Sequence, residues 1–78
     1  MSMNATPQPG EIYQHSKRGT TYKILCVAVI EATEELCVVY EALDPGVEHR
    51  FWVRPLAEFC SEVEVEGKRV PRFIKMNQ

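Results

Sequence analysis

The chain of 78 residues is long enough for one domain and too short for a second. Its apolar fraction of 45% is that of an ordinary globular protein, and it has no apolar run near the roughly 20 residues that a membrane span needs. The net charge of −2 argues against tight, non-specific binding to a phosphate backbone. The first residues are polar and lack the charged and apolar regions of an export signal, so we expect a disordered tail over 1–9 and a single small β domain over 10–78.

The first half of the chain predicts three strands. The segment 11–16 is a short first strand, and a charged turn over 17–20 follows it. Residues 21–32 are rich in β-branched residues, lack Gly and Pro and have apolar residues on both parities, which predicts a long strand that bends. A buried helix is the alternative for such a run. Residues 36–43 predict a third strand, antiparallel to the second.

The second half begins with a turn, because "DPGVE" at 44–48 combines a fixed proline φ with a glycine that accepts positive φ. The next strand, 49–54, stops at Pro55, which cannot donate to a β ladder. Residues 55–61 place two large apolar side chains three positions apart, as one helical turn would.

The segment 62–66 alternates Glu and Val, which predicts a half-buried strand with Val63 and Val65 inside. A turn at Gly67 reverses the chain, and Pro71 makes the returning strand an edge strand. The fold class is therefore mainly β, either a small SH3-like barrel or a curled antiparallel sheet of about five strands with one short helical turn. The expected core consists of Ile24, Val38, Tyr40, Phe51, Val53, Leu56, Phe59, Val63 and Val65.

The three cysteines, Cys26, Cys37 and Cys60, all have apolar neighbours. Their odd number and the absence of an export signal indicate a reducing, cytoplasmic location. Their apolar neighbours predict buried free thiols. They form no CxxC pair and share no ligand spacing with the two histidines, so we expect neither a metal site nor a cofactor.

The stretch "HRFWVR" raises the question of which way Trp52 points. Alternate residues of a strand share a face, so Trp52 lies with Arg50 and Arg54, opposite Phe51 and Val53. Because arginine is rarely buried without a partner, the alternation favours Phe51 and Val53 as core residues. Trp52 is then either a lid over a small core or part of a ligand-binding face, stacked between guanidinium groups.

The runs "GEIYQHSKRGTTYKIL", "VVYEAL", "WVRPLAEF" and "VPRF" resemble the uncharacterised bacterial family known as domain of unknown function 1653, over about 10–73. Its most specific pieces are Tyr13 with His15, Val39-Tyr40, the segment 52–56 with Phe59, and Pro71-Arg72-Phe73. The chain departs from the family at 29–30, where a valine and an isoleucine stand in place of a basic or histidine pair. The resemblance implies a compact β domain and no established activity.

Catalysis is not favoured, because the sequence has no nucleophile elbow, phosphate loop or metal motif. The first hypothesis is instead a protein- or peptide-binding module whose groove is lined by Tyr13, Tyr40, Trp52 and Arg54. We predict a ligand-binding face of Trp52, Arg54, Arg50, Tyr13, His15, Tyr40 and Arg72.

The alternative is a single-stranded nucleic-acid-binding module in which Trp52 stacks on a base. The phosphates would then meet basic side chains, namely Arg50, Arg54, Lys68, Arg69 and Arg72. The net negative charge weighs against this alternative, and no membrane partner is expected. The sequence leaves the oligomeric state open.

Overall fold

The computed structural model describes residues 6–76, in which seven strands and one short helix follow one another. The elements are β1 (Ile12–His15), β2 (Thr21–Ile30), β3 (Glu35–Ala42), β4 (Phe51–Pro55), α1 (Leu56–Phe59), β5 (Glu62–Val65), β6 (Lys68–Pro71) and β7 (Phe73–Lys75). Residues 1–5 of the predicted tail lie outside the described part. Pro7, further along the same segment, is buried.

Five strands form one antiparallel sheet in the order β4-β3-β2-β1-β7, and β5 pairs only with β6. The predicted hairpin of the last two strands is present, with a tight turn at Glu66 and Gly67, whose φ angles of 53° and 81° suit a two-residue turn. The sequence did not predict β7. It leaves the hairpin after Pro71 and pairs with β1, so that Phe73 lies opposite His15.

The long strand β2 bends as expected. Its register with β3 shifts between Ile24 and Cys26, which marks a β-bulge, and a bulge increases local twist and curvature. Within the described residues the five-stranded sheet has two open edges, β4 and β7, so it is curled and not closed into a barrel. Of the two predicted architectures, the curled antiparallel sheet is correct.

The core lies against the inner face of this sheet, which we define as the face that carries Ile24, Val38 and Tyr40. These three side chains and Phe59 are buried as predicted, whereas Leu56, Val63 and Val65 are half-buried. The prediction missed Tyr22, Ala42 and Phe73, which complete the buried cluster.

Phe51 and Val53 are not core residues, and this prediction was wrong. Their side chains are 63% and 61% exposed on the outer face of β4, while Trp52 and Arg54 share the inner face. The assumption that arginine avoids the inner face fails here because β4 is an edge strand. Its inner face borders a cavity where Arg54 finds partners for its guanidinium.

Six aromatic rings hold the inner face together, and Phe73 lies among them. The ring of Phe73 stacks on Phe59 with 4.1 Å between centroids and an interplanar angle of 4°. It also meets Tyr22 and Tyr40 edge to face at 5.9 Å and 5.7 Å, and His15 at 4.9 Å. Tyr13 reaches the same cluster through an edge contact with Phe59 at 5.3 Å. Such pairs contribute about 0.5–1.5 kcal/mol each beyond their burial.

The cysteines differ in exposure. Cys37 is buried and Cys60 is half-buried, but Cys26 is exposed, so the prediction of three buried thiols was wrong for Cys26. The bulge beside Cys26 turns its side chain away from the core while Val27 packs against it. No helix within residues 6–76 is long and apolar enough to cross a membrane.

Replacing Phe59 with alanine should lower the free energy of unfolding by about 3–5 kcal/mol, because it removes a fully buried ring from the aromatic cluster. The matched control is Phe51→Ala, an identical change at an exposed ring, which should shift stability by no more than about 0.5 kcal/mol. Chemical denaturation of both variants measures the difference. Equal losses in the two would contradict the assigned core.

Iodoacetamide at neutral pH should alkylate Cys26 in the folded protein, since this thiol is exposed. Cys37 should react only when denaturant unfolds the chain, because it is buried. Mass spectrometry of the digested protein separates the two sites. Fast labelling of Cys37 without denaturant would show that β3 is less protected than the structure indicates.

Candidate functional site

Every strand of the main sheet contributes a side chain to one small cavity on the inner face at β4, which we call the β4 cavity. Its volume is about 120 Å³. One further side chain comes from the turn between β1 and β2. The lining residues are His15, Arg18, Tyr22, Tyr40, Trp52, Arg54 and Phe73. The sheet order explains this convergence, because a curled sheet directs the inner side chains of all its strands toward one region.

Arg54 is fixed by three neighbours. Its Nε donates a hydrogen bond to the Tyr40 hydroxyl at 3.2 Å, and its Nη1 lies 3.4 Å from a carboxylate oxygen of Glu58, four residues further along the chain in α1. Its guanidinium carbon lies 5.5 Å from the centre of the Phe73 ring. The predicted stacking of arginine on Trp52 is therefore replaced by a contact with Phe73. Arg54 keeps 24% of its side-chain surface exposed.

Trp52 is 39% exposed and lies directly opposite Tyr40 in the ladder. Its indole N–H donates to the His49 carbonyl at 3.0 Å, and the His49 ring meets it edge to face at 5.6 Å. These contacts fix the orientation of the indole within its own turn. The exposed part of Trp52 is therefore aromatic surface, since its single hydrogen-bond donor is already used.

His15 organises the adjoining turn. Its Nδ1 accepts the backbone N–H groups of Lys17 and Arg18, both at 3.2 Å, so the proton of the neutral ring is on Nε2. Burial lowers the pKa of His15, and the charges of Arg18, Arg54 and their neighbours lower it further. The imidazole thus stays neutral, holds the turn that carries Arg18, and keeps one N–H donor.

Three of the predicted binding residues lie elsewhere. Arg50 precedes β4 and pairs with Glu41 at 3.8 Å. Arg72 joins the β5–β6 hairpin to the sheet, because its backbone N–H and its Nε both donate to Ser61. Tyr13 lines a separate cavity of about 240 Å³, next to Phe59.

Tyr13 is held within that second cavity by its own neighbours. Its hydroxyl donates to Glu11 at 3.2 Å. Burial, followed by the nearby Glu11 charge, raises the pKa of Tyr13 to about 12. The hydroxyl is therefore a hydrogen-bond donor and not a base at neutral pH.

The four predicted residues that do meet in the β4 cavity are His15, Tyr40, Trp52 and Arg54. Arg18, Tyr22 and Phe73 join them, and the sequence prediction did not include these. Alternation with Ile24 on β2 could have identified Tyr22 as an inner-face residue. Nothing in the sequence pattern locates Arg18, because hydrogen bonds to His15 position its turn.

The free edge of β4 borders this cavity. The backbone N–H of Ala42 donates to the Arg50 carbonyl at 2.6 Å. In an antiparallel ladder hydrogen-bonded residues alternate with non-bonded ones, so the residues that bond to β3 are Arg50, Trp52 and Arg54. Phe51 and Val53 consequently direct their N–H and C=O groups away from β3. No strand within residues 6–76 pairs with this edge.

The chemistry that the β4 cavity offers is that of hydrogen-bond donation and aromatic contact. Among its lining residues there is no carboxylate and no thiol. The half-buried Cys60 lines other cavities, and burial raises the pKa of its thiol, which makes it a poor nucleophile. No cluster of His, Cys, Asp and Glu within residues 6–76 could hold a metal ion.

The free energy of unfolding should decrease as the pH falls below about 6.5, because the pKa of His15 in the folded chain lies below its value of 6.5 in a free histidine. The unfolded chain then takes up a proton that the folded chain resists, and protonation favours unfolding. Above about pH 6.5 the His15 ring is neutral in both the folded and the unfolded chain, and the stabilisation that depends on the neutral ring has its full value. Chemical denaturation at about pH 5 to 8 measures this dependence.

The variant His15→Asn should remove this dependence, since its side-chain oxygen can replace Nδ1 as the acceptor of the turn but does not titrate. His49→Asn is the control and should retain the wild-type slope, because His49 is an exposed residue outside the cavity. Glu11, whose pKa is lowered from 4.5 chiefly by the Gln8 backbone N–H, titrates below this pH range. A wild-type slope in His15→Asn would contradict the role assigned to His15.

Comparison with known proteins connects this fold to a family. A family model described as "protein of unknown function (DUF1653)" matches residues 11–75. The crystal structure of a protein belonging to DUF1653 from Bordetella bronchiseptica is 30% identical and superimposes with a TM-score of 0.75, over 86% of this chain and 83% of that one. No curated protein matches the chain. With the family model spanning β1 to β7, and a solved member sharing the fold, the chain belongs to the DUF1653 family.

Proposed function

We propose that this domain is a non-catalytic peptide-binding module, and that the peptide lies along the free edge of β4 with a side chain in the β4 cavity. One observation carries this proposal: a half-exposed tryptophan and a partly exposed arginine share the inner face of an edge strand whose other side pairs with no strand of residues 6–76. Edge strands with free N–H and C=O groups bind extended peptides by adding a strand to the sheet.

The outer face of β4 supports the same mode of binding. Phe51 and Val53 are more than half exposed, although most edge strands are protected by charge, by a bulge or by a covering element. An added strand would place alternate side chains against these two residues and against Trp52 and Arg54 on the other face. Pro55 has no N–H group and limits the added strand at that end.

A peptide also suits the rigidity of the site. The contacts of Arg54 with Tyr40 and Phe73, and of Trp52 with His49, fix both side chains before a ligand arrives. Fixed aromatic and guanidinium groups lose little conformational entropy on binding and are effective anchors. The nucleic-acid alternative has less support. Of the basic residues that it requires, Arg50, Arg69 and Arg72 are already bonded to Glu41, Glu62 and Ser61 respectively.

Selection from a phage-displayed library of random peptides tests the proposal, followed by affinity measurement on the enriched sequences. Trp52→Ala should abolish binding while lowering stability by only about 1–2 kcal/mol, because the ring is partly exposed. Arg54→Lys should weaken binding although the charge is kept, because lysine lacks the planar fork. The matched control is Arg69→Lys on β6, outside the β4 cavity, which should bind normally.

A second arm uses the single tryptophan of the chain as a fluorescent probe. Oligothymidine should leave Trp52 fluorescence unchanged at low salt. Salt-sensitive quenching by oligothymidine, together with a library that enriches no peptide, would replace the peptide proposal with the nucleic-acid alternative.

A further inference from the structure

The β4 cavity is rich in positive charge and hydrogen-bond donors. Arg18 and Arg54 both line it, and no Asp or Glu side chain does. The charges of Lys17 and Arg72, which lie outside the lining, also act on His15 and lower its pKa. The chain as a whole carries a net charge of −2, which makes this local concentration of positive charge a specific feature of the site.

Two groups that line the cavity have a hydrogen available for donation to a ligand. The Tyr40 hydroxyl accepts from Arg54 Nε, which leaves its own hydrogen available, and the neutral His15 ring has its N–H at Nε2. The positive charge of Arg54 is partly neutralised by its ion pair with Glu58. Arg18 has no carboxylate within salt-bridge distance among residues 6–76, so its positive charge is not neutralised by the described chain.

Size restricts the anion. The cavity volume of about 120 Å³ is below the roughly 150 Å³ of a protein cavity that accepts benzene. It has room for the end of an acidic side chain or for a chain terminus, but not for a nucleoside. The Glu58 carboxylate beside Arg54 further disfavours a doubly charged phosphate.

We infer that the β4 cavity binds a carboxylate of the peptide, with Arg18, the Tyr40 hydroxyl and His15 Nε2 as its hydrogen-bond donors, an inference that rests on the proposed function. The carboxylate belongs either to an Asp or Glu side chain of the strand added along β4 or to the C-terminus of the peptide. Trp52 packs against the aliphatic part of the same residue. Guanidinium groups that bind carboxylates form shorter and stronger hydrogen bonds than neutral donors, so the acid determines specificity at this position.

Nuclear magnetic resonance titrations with small probes test this assignment directly. The probes are N-acetyl-glutamate N-methylamide for a side-chain acid, N-acetyl-alanine for a chain terminus, N-acetyl-glutamine N-methylamide as the neutral isostere, and inorganic phosphate. We expect at least one acidic probe to shift the side-chain resonances of His15, Arg18 and Arg54, and to bind about tenfold more tightly than the glutamine probe. The stronger of the two acidic probes identifies the source of the carboxylate.

Arg18→Gln should reduce the affinity for the acidic probe about tenfold. Lys68→Gln removes the same charge from an exposed position on β6, outside the cavity, and should leave the affinity unchanged. Any of three results would overturn the assignment. The glutamate and glutamine probes could bind equally, the two variants could have equal effects, or phosphate could bind more tightly than both acids. If library peptides still bind in a Trp52-dependent way when their acids are amidated, the inference fails and the peptide-binding function stands. If no peptide binds at all, both fail.

Discussion

The stack of Phe73 on Phe59 is the contact on which the rest of the structure depends. Phe73 belongs to β7 at one edge of the sheet, and Phe59 belongs to α1, which follows directly from β4 at the other edge. Their rings lie parallel, with centroids 4.1 Å apart, and this contact pulls the two edges toward each other. A chain of this size buries only about 60–65% of its unfolded surface, so a few aromatic pairs form much of its core.

The curled sheet created by this contact also places the open edge of β4 beside the β4 cavity. Because the edges approach without hydrogen bonding, Arg54 of β4 reaches the ring of Phe73 across the opening, and the β4 cavity forms beneath it. A closed barrel would have paired β4 on both sides and removed its free N–H and C=O groups. The open edge and the cavity are therefore two consequences of one packing arrangement, and under the proposed function a peptide paired with the edge would lie next to the cavity.

Most strands and turns could be predicted from the sequence, since apolar alternation, prolines and turn residues are local signals. It failed where the outcome depended on distant contacts. β7 was missed because its partner, β1, lies far away in the sequence, and Phe51 and Val53 were misassigned because hydrogen bonding to Tyr40 stabilises Arg54 on the inner face. The candidate site shows the same division. Trp52 and Arg54 were identified as neighbours by strand parity, whereas the position of Arg18 depends on hydrogen bonds to the imidazole and backbone of His15 and leaves no pattern in the sequence.

The two sides of the β4 cavity differ in how firmly their side chains are held. Tyr40 belongs to the buried cluster, and its hydroxyl and the Phe73 ring both contact Arg54, so the core restrains the Arg54 side chain. Arg18 lies on an exposed turn that two backbone hydrogen bonds to His15 Nδ1 restrain. Loss of the His15 acceptor would leave the N–H groups of Lys17 and Arg18 without their partner, in a turn that the bond from Gly19 N–H to the His15 carbonyl still closes, and would leave the Arg54 side of the cavity in place. Affinity at this site would thus be adjusted through the turn, while the geometry of the edge strand and its aromatic surface is fixed by the fold.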